Sequence, residues 1–173
     1  MESEDSHIEV ISADITTLKV DAIVNAANRE LAGGGGVDGA IHAAAGPKLL
    51  QACNGIGSCE TGKAVCTSAF DLPCQFVIHT VGPIWQGGQA GESEQLEDCY
   101  RNSMQIASKL QLRSIAFSAI SCGVYGFPTE QAAEIAVNAI WEELPECYDL
   151  SKVYLVCFDE EVERAYRAAL QRS

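Results

Sequence analysis

The sequence predicts a single α/β domain of three layers, with helices on both faces of a mixed or mostly parallel sheet. Three observations predict it. Short apolar runs of strand character alternate with segments of helical period. Two of those strands lead into glycine-rich loops that are followed at once by a helix. The length, 173 residues, suits one domain and leaves little room for a second. With 47% hydrophobic residues, such a chain can bury a full core without help from a metal or disulfides.

The elements follow in order. Residues 8–11 alternate in polarity and read as a strand; residues 21–25 centre on an apolar run and read as a buried strand. Four glycines follow at 33–36. Residues 37–45 read as a helix stopped by Gly46-Pro47, with a short helix at 48–53 and a loop over 53–62. Residues 63–70 and 75–81 read as strands around a turn at Asp71-Leu72-Pro73, and 83–92 as a loop. Leu96, Tyr100, Met104, Ala107 and Leu110 keep helical spacing. Residues 114–119 read as a strand, and 121–128 form the second glycine loop. Thr129 is expected to cap a helix whose inner face carries Ala133, Ala136, Val137, Ile140 and Leu144. Residues 152–158 are the last strand. Val162, Ala165, Tyr166, Ala169 and Leu170 form the stripe of the last helix. There is no internal repeat.

Charge and cysteine usage narrow the function. The net charge of −13 repels a phosphate polymer on average, so nucleic-acid binding is not expected. A small anion remains compatible, because a concave nest of backbone N–H groups captures it locally. The eight cysteines form no CxxC and no zinc-finger spacing. They read as small buried hydrophobes in a reducing compartment, and no metal site is expected. No run approaches the ~18 apolar residues of a membrane span. The acidic residues 1–6 are expected to fray and lack the features of a secretory signal. A cytoplasmic monomer is the expectation.

The first glycine loop leaves a buried strand through Asn25-Ala26-Ala27-Asn28 and enters a helix near Val37. Strand, glycine loop and helix N-terminus together make a phosphate site: glycine allows close approach, and the helix end adds partial positive charge. It is not a Walker A loop, because Val37-Asp38-Gly39 stands where Gly-Lys-Ser/Thr is needed. Nor is it a dinucleotide fingerprint, although Gly34, Gly36 and Gly39 fit the spacing, because the loop is too long and helix follows where strand should. Asp38 has two readings. A first-turn carboxylate suits the helix dipole, but one beside an anion nest is better explained if it faces a sugar or a water. His42, four residues on, shares its face; it either tunes the carboxylate or is a satisfied core residue.

The second loop, Ser121 to Gly126, repeats the strand–loop–helix order, so both loops meet at the carboxyl edge of the sheet. Two nests can grip two phosphates. Tyr125 and Phe127 suit either a sugar or packing against the next helix. Asp14 can accept from an exocyclic amine or cap the turn at Thr16-Thr17. Phe158 offers a ring face for a base.

These residues resemble the macrodomain family. The resemblance runs from about Ile8 to about Leu170. It rests on Ala13-Asp14-Ile15-Thr16, Val24-Asn25-Ala26-Ala27-Asn28, the glycines from Gly33 to Gly39, Ile41-His42, Ala45-Gly46-Pro47, His79-Thr80-Val81-Gly82-Pro83 and the run from Ser118 to Gly126. Within the family it is similar to the MacroD-type subgroup, which includes bacterial O-acetyl-ADP-ribose deacetylases. The resemblance implies a three-layer α/β/α fold with a six-stranded mixed sheet and ADP-ribose in a cleft at the strand ends. Asp14, with Ile15 beside it, would bind the adenine amino group, and Phe158 would stack near the base. Gly36, Val37 and Asp38 would line the first phosphate side. Ser121, Cys122, Gly123, Val124 and Tyr125 would hold the diphosphate and the distal ribose. Asn28 would bind the distal ribose hydroxyls, and Asp38 would act on the ribose or its attacking water. Ala13 replaces a frequent glycine, and Cys122 stands where threonine is common; the second change loses a hydroxyl but keeps the amides.

Two functions follow from the resemblance. One is a hydrolase, without a cofactor, acting on esters of the distal ribose: O-acetyl-ADP-ribose, and mono-ADP-ribose on acidic side chains of proteins. The other is a reader that binds ADP-ribose without cleaving it. Asn28 and Asp38 together favour the hydrolase.

Overall fold

The computed structural model describes residues 7–173; residues 1–6, expected to fray, lie outside the described residues. Six strands form one sheet: β1 Ile8–Ser12, β2 Ala22–Ala26, β3 Ala64–Ser68, β4 Phe76–Thr80, β5 Ser114–Phe117 and β6 Lys152–Cys157. Their order is β1-β6-β5-β2-β4-β3. Every pairing is parallel except β3 with β4, so the sheet is mixed as expected.

Among the described residues five α-helices cover the sheet: α1 Gly36–Ala45, α2 Pro47–Ile56, α3 Glu92–Lys109, α4 Thr129–Glu143 and α5 Glu160–Arg172. The period-2 alternation of β2 explains the layers. Ala22 and Val24 join the core beneath α3, α4 and α5, with Tyr100, Phe117, Ile140 and Tyr166. Ile23 joins the opposite core beneath α1 and α2, with Ile41, Leu49 and Val77. Both faces of the central strands are therefore apolar, the pattern of a strand covered on two sides.

Local chemistry sets the boundaries. α1 ends at Gly46, which takes φ +88° and donates its N–H to His42 O at 3.1 Å; Pro47 then opens α2 at a position that needs no donor. α2 runs to Ile56, so the first residues expected as loop are helical and the stop is Gly57. Thr129 is not a cap. Pro128 occupies that position, makes no side-chain capping bond, and leaves Thr129 as the first helical residue. Leu110 is 41% exposed at the end of α3, and the buried anchor there is Leu112 instead. Leu144 falls in a short 3-10 turn, Leu144–Glu146, and Leu170 is half-buried. The strand expected to reach residue 119 stops at Phe117, where the Ser118 hydroxyl turns back to donate to Val24 O at 2.7 Å.

Candidate active site: a cleft between two amide nests

A cleft of about 510 Å³ opens at the carboxyl ends of the strands. One end is built from the exits of β1 and β6: Ala13, Ile15, Val156, Cys157 and Phe158, with Val162 of α5. The middle and other end are the two glycine loops. Asn28, Gly36, Val37 and Asp38 line it from the first, and Ser121, Cys122, Gly123, Val124 and Tyr125 from the second. Asp14 is exposed and is not among the lining residues. Its Oδ1 accepts from Thr16 N at 3.0 Å and Thr16 Oγ1 at 2.7 Å, so the capping reading holds, and these bonds lower its pKa.

Each loop presents unused donors. The amides of residues 34–38 donate to no group among the described residues, as expected for a glycine loop running into the first turn of a helix. The amides of Gly123, Val124 and Tyr125 are likewise unpaired among the described residues. Among the described residues no lysine or arginine lines the cleft. An anion there is met by backbone dipoles, which resolves how a chain of net charge −13 can hold a diphosphate.

Strain and close approach hold the loops in shape. Leu31 and Ser121 are non-glycine residues at φ +56° and +66°. Left-handed backbone at such residues costs roughly 1–2 kcal/mol each and persists only where the surroundings enforce it. At Leu31 the N–H bonds to Asn28 O at 3.0 Å; at Ser121 the hydroxyl donates to Pro83 O at 2.8 Å. Asn28 braces the first loop with both ends of its amide, donating one hydrogen to Gly33 O at 2.7 Å and accepting from Ala32 N at 2.9 Å. Gly39 is required by packing, since a Cβ there would stand 2.3 Å from Gly34 O.

Asp38 is buried in the first turn of α1, at the floor between the loops. Its Oδ1 accepts from Asn25 Nδ2 at 2.8 Å and lies 3.4 Å from His42 Nε2. Its Oδ2 is directed toward Gly34, close enough that a Cβ on that glycine would touch it at 3.4 Å. One carboxylate oxygen is thus anchored from behind while the other points into the loop.

The anchor was not singled out in the sequence. Asn25 lies on β2, on the Ile23 face, which is the face under α1. Register places His79 of β4 beside it, and Asn25 Nδ2 stands 3.2 Å from His79 Nδ1. His79 Nε2 is 3.0 Å from Thr67 Oγ1, whose hydroxyl donates to Ser68 O at 3.0 Å. That hydroxyl is committed as a donor, so His79 carries its proton on Nε2 and accepts from Asn25 on Nδ1. Burial, reinforced by the neighbouring His42, pushes the His79 pKa down to about 4 and keeps the ring neutral. A signal for this row existed: an asparagine at a core-facing position of a buried strand must be hydrogen-bonded to something.

The eight cysteines are all free, and most are buried. Cys122 lines the cleft, but burial and then Asp159 and Glu161 push its thiol up to about 11. It is not poised as a nucleophile.

Fold and site together define a binder of nucleoside diphosphate-like ligands that carries a buried carboxylate in the first turn of α1. The chain belongs to the macrodomain family: the Macro domain family model matches residues 24–136. It is 57% identical over 166 residues to the O-acetyl-ADP-ribose deacetylase of Klebsiella pneumoniae, covering 94% of this chain and 95% of that protein. It is 55% identical to a macro domain-containing protein of Chlorobaculum tepidum, with 94% and 95% covered. The fold matches the Oceanobacillus iheyensis macrodomain with ADP at TM-score 0.91 and 43% identity, covering 97% of this chain and 92% of that one. It also matches the Trypanosoma brucei macrodomain in complex with ADP-ribose at TM-score 0.89 and 41% identity, covering 95% and 69%.

Proposed function

We propose that the protein binds ADP-ribose in this cleft and hydrolyses esters of its distal ribose, with O-acetyl-ADP-ribose as a substrate. The observation that carries the reading is the Asp38 carboxylate, held through Oδ1 by Asn25 with Oδ2 turned toward Gly34. A carboxylate beside an anion nest serves a sugar hydroxyl or a water, and with Oδ1 committed to Asn25 the Oδ2 atom is left for one of them. A water-activating group is best placed there. The likeness to the Klebsiella deacetylase and to macrodomains holding ADP or ADP-ribose supports the same reading.

The adenine lies at the β1/β6 end, against Ile15 and the exposed ring of Phe158, with the free Oδ2 of Asp14 available to its amino group. The diphosphate spans the two amide nests. The distal ribose then falls between Asn28 and Tyr125, over Asp38. Holding both phosphates fixes the ribose, so that much of the rate comes from position.

In the reaction, a water attacks the ester carbonyl and gives its proton to Asp38. The tetrahedral intermediate then expels the ribose oxygen, which takes that proton to become the free hydroxyl; the acyl group leaves as the acid and Asp38 is again a carboxylate. General-base help of this kind is worth ~10²–10⁴ in rate. A phosphate oxygen of the bound substrate is the rival base. The same chemistry applies to ADP-ribose esterified to acidic side chains of proteins, and we extend the proposal to those substrates. Asn28 keeps one amide hydrogen for the ribose while bracing the loop with its other groups.

The test is turnover of O-acetyl-ADP-ribose and of a mono-ADP-ribosylated protein by wild type, Asn28→Ala and Asp38→Ala. Asp38→Ala is expected to bind free ADP-ribose and to lose ~10²–10⁴ in kcat. Wild type that binds ADP-ribose yet releases neither acetate nor ADP-ribose is a reader. Full turnover by Asp38→Ala assigns the base to the substrate phosphate.

A further inference from the structure

The carboxyl edge of the sheet does not end where the cleft does. In sheet order, the cleft covers the ends of β1, β6, β5 and β2, and β4 is next. At the end of β4 a second recess of about 260 Å³ opens, lined in part by Arg29, Ile84, Gln86 and Gln95. Tyr125 lines both cavities and is the wall between them. Arg29 follows directly on Asn28, the residue placed at the distal ribose. With strands ~4.8 Å apart, whatever is esterified to that ribose needs only one further strand spacing to reach the recess.

We propose that this recess receives the polypeptide segment carrying an ADP-ribosylated acidic side chain. The proposal rests on the ester-hydrolase reading above and specifies which substrates the site is shaped for. Size argues first. A cavity approaching the ~300–1,000 Å³ range of small-molecule sites is far larger than a two-carbon acyl group needs. The chemistry of the lining argues second. Gln86 and Gln95 carry both donors and acceptors, as a peptide backbone requires, and Ile84 offers an apolar surface that is 55% exposed. The Arg29 guanidinium makes no hydrogen bond or ion pair with any described residue and is the one cation among the described lining residues. A carboxylate-rich segment supplies its partner. Glu92 also lines the recess, but its charge is already met by the amides of Gln86, Gly88 and Ala90 at 2.7, 3.1 and 2.7 Å.

The recess is also preformed. Those three bonds to Glu92 fix the loop that forms its outer wall. Trp85 N donates to Tyr125 O at 2.8 Å, which ties that loop to the second glycine loop. Trp85 packs on Phe127 with ring centroids 4.8 Å apart. A wall ordered before binding costs little entropy when the ligand arrives.

The test compares binding of a mono-ADP-ribosyl peptide with acidic flanks, joined through a non-hydrolysable amide in place of the glutamate ester, to binding of free ADP-ribose. Peptide conjugate is expected to bind more tightly than free ADP-ribose. Arg29→Glu and Ile84→Ser should each erase that advantage, Arg29→Glu by about tenfold, the effect of one charged hydrogen bond. Neither change should move free ADP-ribose affinity or, in the otherwise wild-type enzyme, turnover of O-acetyl-ADP-ribose. Equal binding of conjugate and free ADP-ribose overturns the proposal, as does equal weakening of both by Arg29→Glu. If the Arg29-dependent advantage is present but wild type does not release the peptide from the glutamate ester, the recess stands and hydrolysis of protein esters fails.

Discussion

Asn25 of β2 and Asp38 of α1 meet across the buried face of the sheet, with Asn25 Nδ2 donating to Asp38 Oδ1 at 2.8 Å. Behind Asn25 stand His79 and Thr67, one from each of the next two strands. The row leaves the Asn25 amide one stable orientation. With oxygen and nitrogen exchanged, its oxygen would face a carboxylate and a ring lone pair.

Asn25→Ala should therefore lower kcat on O-acetyl-ADP-ribose by up to ~100-fold, because a small displacement of a reacting group is enough for that. Affinity for ADP-ribose should hold, since the amide nests are untouched. Turnover kinetics alongside calorimetric binding separate the two. Equal loss in both would mean that the loop, rather than the carboxylate, depends on Asn25.

The row also predicts a pH dependence of stability. His79 has a folded-state pKa of about 4, below its ordinary 6.5. Between those values the unfolded chain takes up a proton that the folded protein refuses. The stability this ring contributes is complete above about pH 6.5 and is lost as pH falls toward 4, amounting to roughly 3 kcal/mol. Denaturant titrations from pH 7 to 4 should show a shallower decline in His79→Gln than in wild type. Parallel declines would remove His79 as the source.

Gly39 makes the first loop possible by letting α1 lie against Gly34. Gly39→Ala would put its methyl carbon 2.3 Å from Gly34 O, against backbone that cannot swing aside. Overpacking of this kind costs ~1–3 kcal/mol. Thermal unfolding should register the loss, and ADP-ribose binding should weaken further because the displaced loop carries the amides. By contrast, Gly35→Ala meets nothing within 4 Å and should fold normally.

Cys122 tests whether the second loop acts through its backbone. Cys122→Thr should leave ADP-ribose affinity within about threefold, as backbone donors do not depend on the side chain. With its thiol pushed up to about 11, wild-type Cys122 should also resist alkylation at pH 7. Rapid modification, blocked by ADP-ribose, would show instead that the thiol is an active part of the cleft.

Much of this protein was determined by sequence alone. Alternating apolar strands and periodic helices specify the layers, and glycines between strand and helix specify anion nests, because both are local relations of residue type to backbone geometry. Asp38 and Tyr125 stand out from their places at a helix start and in a glycine loop, whereas the roles expected of Asn28 and Ser121 come from the family resemblance. Only the tertiary structure decided what stands behind them. Asn25, His79 and Thr67 are far apart in sequence and read locally as strand residues. Parallel pairing of β2 with β4 and antiparallel pairing of β4 with β3 put them in one buried row under α1. Arg29 and Ile84 likewise meet only because β4 follows β2 in the sheet. Asp14 shows the limit from the other side. Its capping of Thr16 is local and was legible, whereas its place next to Ala13 and Ile15 at the end of the cleft depends on where β1 sits beside β6.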